Sequence, residues 1–241
     1  MTIYVCKIKD VVQLNEQIFR VRLVPDNIQL LDFKAGQYIL LHMPNGETVP
    51  LSIASSPEQK NYLELHLRLM HTPSLAEDMI NLFKQAESVK IEGAFGNCYL
   101  RDGDRDIVII AGGTGFSPMK SLLESAFARN DQRRVSLFLG AQNSDGLYHD
   151  KLIKSWQKQN ENFSYVPVIS DDVSSWNGST GFPHEIAIAQ YKNKLLEKEI
   201  FIGGSEAMVM AVYQALLDEG VSKEQIHSDI LDIKRECGDI N

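Results

Sequence analysis

The sequence is short of the features that would settle its role at once. Its three cysteines, Cys6, Cys98 and Cys237, lie far apart with no C-x-x-C pair. They cannot supply the four thiolates of an iron–sulfur cluster. They read as separate free thiols rather than a disulfide framework. The six histidines (His42, His66, His71, His149, His184 and His227) show no H-x-x-x-H spacing, so no metal is expected. Basic charge is also scarce. The formal net charge is −8 and there is no Lys/Arg-rich run, which argues against a nucleic-acid footprint. No apolar run approaches the ~20 residues needed to cross a bilayer. The first residues, MTIYVCKIKDVV, lack the apolar stretch of a secretory leader. A cytoplasmic location, with no membrane partner, is therefore the expectation. Internal repeats and low-complexity segments are missing as well.

What is present divides into two patterns. Up to about residue 100, short strand-like segments alternate with turns: IFRVRLVP, GQYILLHMP, YLELHLRLM and VKIEGAFG. Asn45-Gly46 between apolar runs is a hairpin signal. This series suggests a closed or nearly closed antiparallel β-barrel. One helix interrupts it over 72–84, with Ser74 as N-cap and Glu77 completing a capping box. LRDGDRD (100–106) suits a linker. Beyond it, continuous apolar runs alternate with amphipathic helices: IVIIAGG, RVSLFLGAQ, FSYVPVIS and KEIFIGG read as strands buried on both faces. A final strand is expected at IHSDILD. The alternation predicts a parallel sheet with helices on both sides. The division is thus a barrel domain over 1–100 and a nucleotide-type α/β domain over 101–241.

The chemistry concentrates at strand ends. Gly112, Gly113 and Gly115 follow the first buried strand, where backbone N–H groups and a helix N-terminus favour an anion. G-G-T-G is not the G-x-G-x-x-G fingerprint, so a merely tight turn stays open as a reading. Gly203 and Gly204 end a later strand, with Ser205 capping the next helix. Two Gly-rich strand ends in one sheet can flank one elongated dinucleotide. Met208 is explained equally by helix packing. In VPLSIASSP, Ser52 is at face value an ordinary strand serine whose hydroxyl could reach a ligand.

Taken together, these stretches resemble the ferredoxin-NADP reductase superfamily, most closely the stand-alone NAD(P)H:flavin reductases, including those serving bacterial luminescence. The resemblance is carried by FKAGQYILL, VPLSIASSP, LRLMHTPSLAEDM, AGGTGFSPMKSLL, GAQNSDGLYHDKL and GGSEAM, in that order along nearly the whole chain. It implies hydride transfer from nicotinamide to flavin, chemistry that the cofactors themselves carry. It also implies site residues. Val49, Pro50, Leu51, Ser52, Ile53, Thr72 and Ser74 fall to the flavin, with Ser52 hydrogen-bonding near its reacting nitrogen. Gly112, Gly113, Thr114, Gly115 and Pro118 fall to the nicotinamide nucleotide's phosphates, Gln142 to its adenosine side, and Gly204, Ser205 and Met208 to the nicotinamide. The departures from the family pattern are informative. Val49 replaces an arginine that holds flavin phosphate, a loss of about 1.5–3 kcal/mol. Leu51 replaces a stacking aromatic, and Gly203 replaces a cysteine. Gln142, near Asp145, stands where an arginine would pair with a 2′-phosphate, which leans toward NADH over NADPH. These changes imply a flavin (FMN, FAD or riboflavin) held loosely as a substrate, with a flavin-dependent oxygenase as a downstream partner. Two other readings share the fold: a reductase component with bound flavin feeding an oxygenase or iron–sulfur partner, and a non-catalytic binding module.

Overall fold

A computed structural model of the chain describes residues 2–26, 31–69, 75–171 and 176–240. The first half is one antiparallel sheet. Its strands are β1 (Ile3–Gln13), β2 (Ile18–Pro25), β3 (Tyr38–His42), β4 (Thr48–Ser52), β5 (Leu63–Arg68) and β6 (Ser88–Phe95), in the order β4-β3-β6-β1-β2-β5. A bridge between Ile53, just past β4, and Leu65 of β5 joins the two edges and closes the sheet into the expected barrel. Closure removes the unpaired strand edges of an open sheet. The Asn45-Gly46 hairpin forms between β3 and β4. Gly46 takes φ +87°, and the Asn45 side chain accepts from Glu47 N–H at 3.1 Å. Inside the barrel, Val21, Leu23, Ile39, Leu41, Leu65 and Ile91 are almost completely buried. Helix α1 (Leu75–Gln85) contributes Met79, Ile80 and Phe83 to that core. Thr72 and Ser74, with the expected capping box, lie outside the described residues.

The second half is a six-stranded parallel sheet: β7 (Ile107–Gly112), β8 (Val135–Ala141), β9 (Phe163–Ile169), β10 (Ser179–Thr180), β11 (Glu199–Gly203) and β12 (Ile226–His227), ordered β10-β9-β8-β7-β11-β12. Successive β7 residues serve opposite layers. Ile107, Ile109 and Ala111 pack with α2 (Phe116–Ala128) and α3 (Asp150–Gln159). Val108 and Ile110 pack with α4 (Pro183–Tyr191) and α5 (Glu206–Asp218). Burial on both faces is why these strands read as continuous apolar runs.

Two expectations need correction. Only Ile226–His227 of the expected last strand is strand, and Asp229–Glu236 forms helix α6. Ser228 is extended at its N-cap position, Asp229 and Asp232 sit in the first turn, and Lys234 and Arg235 sit in the last. Those charges complement the helix dipole, and fully buried Leu231 anchors the helix to the core. The stretch at 100–106 carries no helix or strand but is not a free linker. Leu100 packs into the α/β core, and the Asp106 side chain accepts from Lys198 Nζ at 2.8 Å and Arg134 N–H at 3.0 Å.

Candidate functional site

The order of the parallel sheet changes direction between the neighbouring strands β7 and β11. In open α/β sheets, ligands bind at the carboxyl ends of strands beside such a switch point. Both Gly clusters sit there, and they touch. A methyl group on Gly115 would lie 2.1 Å from Gly204 N and 2.2 Å from Gly203 C; one on Gly203 would lie 2.1 Å from Gly115 O. The two strand ends therefore meet backbone to backbone, an approach that excludes any side chain at Gly115 or Gly203. Gly113 adds φ +53° and opens the short 3₁₀ turn Gly113–Gly115 that leads into α2. Met208 lies over the pair from the first turn of α5, since methyls on Gly112 or Gly204 would come within 2.7 and 2.6 Å of its sulfur.

From this point a cleft of about 1830 Å³ runs between the barrel and the α/β half. It is lined by Gly112, Gly113, Thr114, Gly115, Gln142, Gly204, Ser205 and Met208 on one side and by Leu51 on the other. Ser205 caps α5, its Oγ accepting from Met208 N–H at 3.3 Å. The other described residues singled out from sequence lie off this lining. Val49 and Ile53 are buried in the barrel core, and Pro118 is buried within α2. Pro50 is exposed and Ser52 half-buried, on the opposite face of β4 from Val49 and Leu51. Val49 thus presents no group to a phosphate. Arg68, at the end of β5, does reach the cleft. Gln17 Oε1 accepts from its guanidinium at 2.9 and 3.1 Å, and Nη1 lies 3.5 Å from where a Gly113 methyl would be.

A second group of residues was missed in the sequence. LELHLR reads as a half-buried strand with Glu64 and His66 toward water, yet both are buried. Helix α2 and the turn before α3 cover that face. Glu64 Oε2 accepts from Arg22 Nε at 3.0 Å, and its Oε1 lies 3.1 Å from His66 Nε2 and 3.2 Å from Lys120 Nζ. Burial alone would raise the Glu64 carboxyl, but the His66 hydrogen bond and the Lys120 charge hold it well below the usual carboxylate range. His66 is kept neutral mainly by burial. Its Nε2–H then donates to Glu64, and its Nδ1 accepts from Tyr148 OH at 3.0 Å. Burial and the neighbouring His66 and Lys120 push His149 down to about 3. The ligating atoms of Glu64, His66 and His149 fall within 4.8 Å of one another, a cluster that sequence spacing could not show. Because Arg22 and Lys120 already flank both Glu64 oxygens, the charge at this spot opposes a further cation. The signal in the sequence was an acid and a histidine two apart on an apolar strand, with a lysine in a helix whose other residues are mostly apolar or small.

Comparison with known proteins fits this geometry. Residues 5–99 match the oxidoreductase FAD-binding domain, and residues 109–214 match the oxidoreductase NAD-binding domain. The chain is 31% identical over 231 residues to an NAD(P)H-flavin reductase of Aliivibrio fischeri, covering 93% of this chain and 96% of that one. It is 32% identical over 226 residues to a CDP-6-deoxy-L-threo-D-glycero-4-hexulose-3-dehydrase reductase of Yersinia pestis, covering 94% of this chain and 68% of that protein. Among solved structures, a cytochrome P450 reductase of Amycolatopsis superposes with a TM-score of 0.84 at 25% identity, over 95% of this chain and 69% of that chain. No helix among the described residues is long and apolar enough to cross a membrane.

Proposed function

Since the chain belongs to the ferredoxin-NADP reductase family of FAD- and NAD-binding oxidoreductases, we propose that it is an NAD(P)H:flavin oxidoreductase acting in the cytoplasm on a loosely held flavin. The observation that carries this reading is one cleft shared by both halves, with a backbone-lined cradle at the sheet's switch point on one side and the barrel on the other. Nicotinamide and flavin would supply the hydride chemistry, so the protein's task is to bring the two rings into contact and keep water out. Gly112–Gly115 offer N–H groups and the α2 N-terminus to a pyrophosphate. Gly204, Ser205 and Met208 bound the nicotinamide, and Gln142, on the adenosine side, brings no cation of its own to a 2′-phosphate, which favours NADH. Leu51 contributes an apolar wall for the flavin. Ser52, half-buried at the end of β4 and off the cleft lining, is the proposed hydrogen-bond partner of the reacting nitrogen, a role that requires its hydroxyl to turn toward the cleft when flavin is seated.

Loose flavin binding rests on Val49. Its buried aliphatic side chain offers no charge-assisted bond to a flavin phosphate, so FMN, FAD and riboflavin would exchange freely. The similarity to a cytochrome P450 reductase favours a second reading, in which flavin stays bound and electrons pass to an oxygenase partner. Dialysis of the protein against flavin-free buffer separates them. A colourless protein that regains NADH oxidation on adding free flavin supports the substrate reading. A protein that stays yellow and needs another acceptor refutes it in favour of the second. One that is inert with every flavin sinks both and leaves a binding module.

A further inference from the structure

The helix behind the nicotinamide cradle is bound to the barrel by a buried polar stripe. Along α2, Ser117, Lys120, Ser121 and Ser125 recur at helical spacing, and all are buried. An apolar stripe would be the ordinary solution for a buried helix face. Instead, Lys120, Ser121 and Ser125 of this stripe meet one segment of the barrel, and that segment follows directly on β4. Lys120 Nζ donates to Ala54 O at 3.2 Å, to Glu64 Oε1 at the same distance and to Glu124 Oε1 at 2.6 Å. Ser121 Oγ donates to Ser55 O at 2.7 Å, and Ser56 N–H donates to Glu124 Oε2 at 3.3 Å. Ser125 Oγ donates to Glu58 Oε1 at 3.0 Å. Ser55 Oγ in turn accepts from Glu64 N–H at 3.0 Å, tying the segment back to β5.

From this we infer that Lys120 and Ser121 are positioning residues, holding the nicotinamide cradle in register with the flavin side of the cleft. This role presupposes the flavin reductase activity proposed above. Stability does not explain the arrangement. A buried ion pair replaced by apolar groups of equal volume is often neutral or stabilising, so Lys120–Glu64 gives the fold little that Met and Leu would not. Apolar surfaces slide, however, whereas an ammonium shared among Ala54 O, Glu64 and Glu124 has one seat. Lys120 lies one helical turn from the Gly113–Gly115 turn, and Ala54 lies two residues past Ser52. The same contact therefore fixes both ends of the path that a hydride must cross. An error of about 1 Å in such a path costs roughly 10²-fold in rate while leaving each ligand's own contacts intact.

The test is rapid mixing of NADH with the wild-type protein and free FMN, compared with Lys120→Met and Ser121→Ala. For Lys120→Met, the hydride-transfer rate at saturating NADH and FMN is expected to fall tenfold or more, with both dissociation constants within threefold of wild type. The isotope effect of 4-deuterated NADH on turnover should rise in parallel, because the slowed step becomes limiting. Ser121→Ala should fall threefold or more in the same direction, and it carries the test alone if Lys120→Met does not fold. A transfer rate within twofold of wild type in a folded variant overturns the inference, as does a loss confined to binding. A wild-type protein that transfers no hydride overturns the activity itself, and the positioning role with it.

Discussion

Replacing Gly115 by Ala sets two physical effects against each other. The backbone there is already helical, with φ −60° and ψ −12°, so alanine fits the conformation without strain. On conformational grounds the substitution stabilises, by up to about 1 kcal/mol from helix propensity and a less flexible unfolded chain. The new methyl carbon, however, would sit 2.1 Å from Gly204 N and 2.2 Å from Gly203 C, against an ordinary carbon contact of roughly 3.5 Å. Both neighbours are backbone, so no rotamer change relieves the clash and the two strand ends must part by about 1 Å. Overpacking of this kind costs about 1–3 kcal/mol, and rigid backbone on both sides puts the cost at the upper end. The expected net loss is about 2 kcal/mol, or roughly 4–8 °C in Tm for a chain of this size. Parting the two turns also opens the cradle, so NADH affinity should drop at least tenfold. Thermal denaturation and fluorescence titration with NADH read the two effects separately. A Tm at or above wild type with unchanged NADH affinity would refute the close-contact account of these glycines.

Other consequences follow from single groups. Asp229 lies over Gly96 with Oδ1 buried and without a hydrogen-bond partner, and burial with the nearby Asp232 charge pushes its carboxyl up to about 7. A raised carboxyl binds its proton more tightly in the folded state, so its contribution is present below about pH 4 and is lost as pH rises through 7. Asp229→Asn should therefore raise stability at about pH 8 by at most about 4 kcal/mol and leave it unchanged near pH 4; equal effects at both pH values in urea unfolding would contradict this. Gln142→Arg should improve kcat/KM for NADPH over NADH by tenfold or more through a bidentate pair with the 2′-phosphate, and an unaltered ratio would remove Gln142 from the adenosine side. Ser52→Ala should lower turnover several-fold with little change in Tm; unchanged kinetics would take Ser52 out of the mechanism.

How much the sequence discloses depends on the range of the interaction. The barrel segments read as strands (now β2, β3, β5 and β6), the Asn45-Gly46 hairpin and the buried strands β7, β8, β9 and β11 follow from local periodicity and turn chemistry and fold as read, whereas β1 (Ile3–Gln13) went unread. The Gly clusters were legible as strand-end turns, but their mutual contact was not, because residues 115 and 203 meet only through the sheet order. Glu64 and His66 went unremarked for the same reason. Period-two alternation tells which residues share a face, not whether another domain covers it. Lys120 gave no sign, because a lysine in an amphipathic helix reads as part of its solvated face. The error at Asp229–Glu236 was one of period: Ile230, Leu231 and Ile233 among acids fit a short strand until the end charges and Ser228 are weighed.

The most direct test of the account is the rate of NADH oxidation by flavin-stripped protein, measured with and without added FMN or riboflavin. The account predicts negligible oxidation without flavin, and turnover that rises with free flavin concentration and saturates. Oxidation that is indifferent to added flavin, or no oxidation with any flavin supplied, would contradict it.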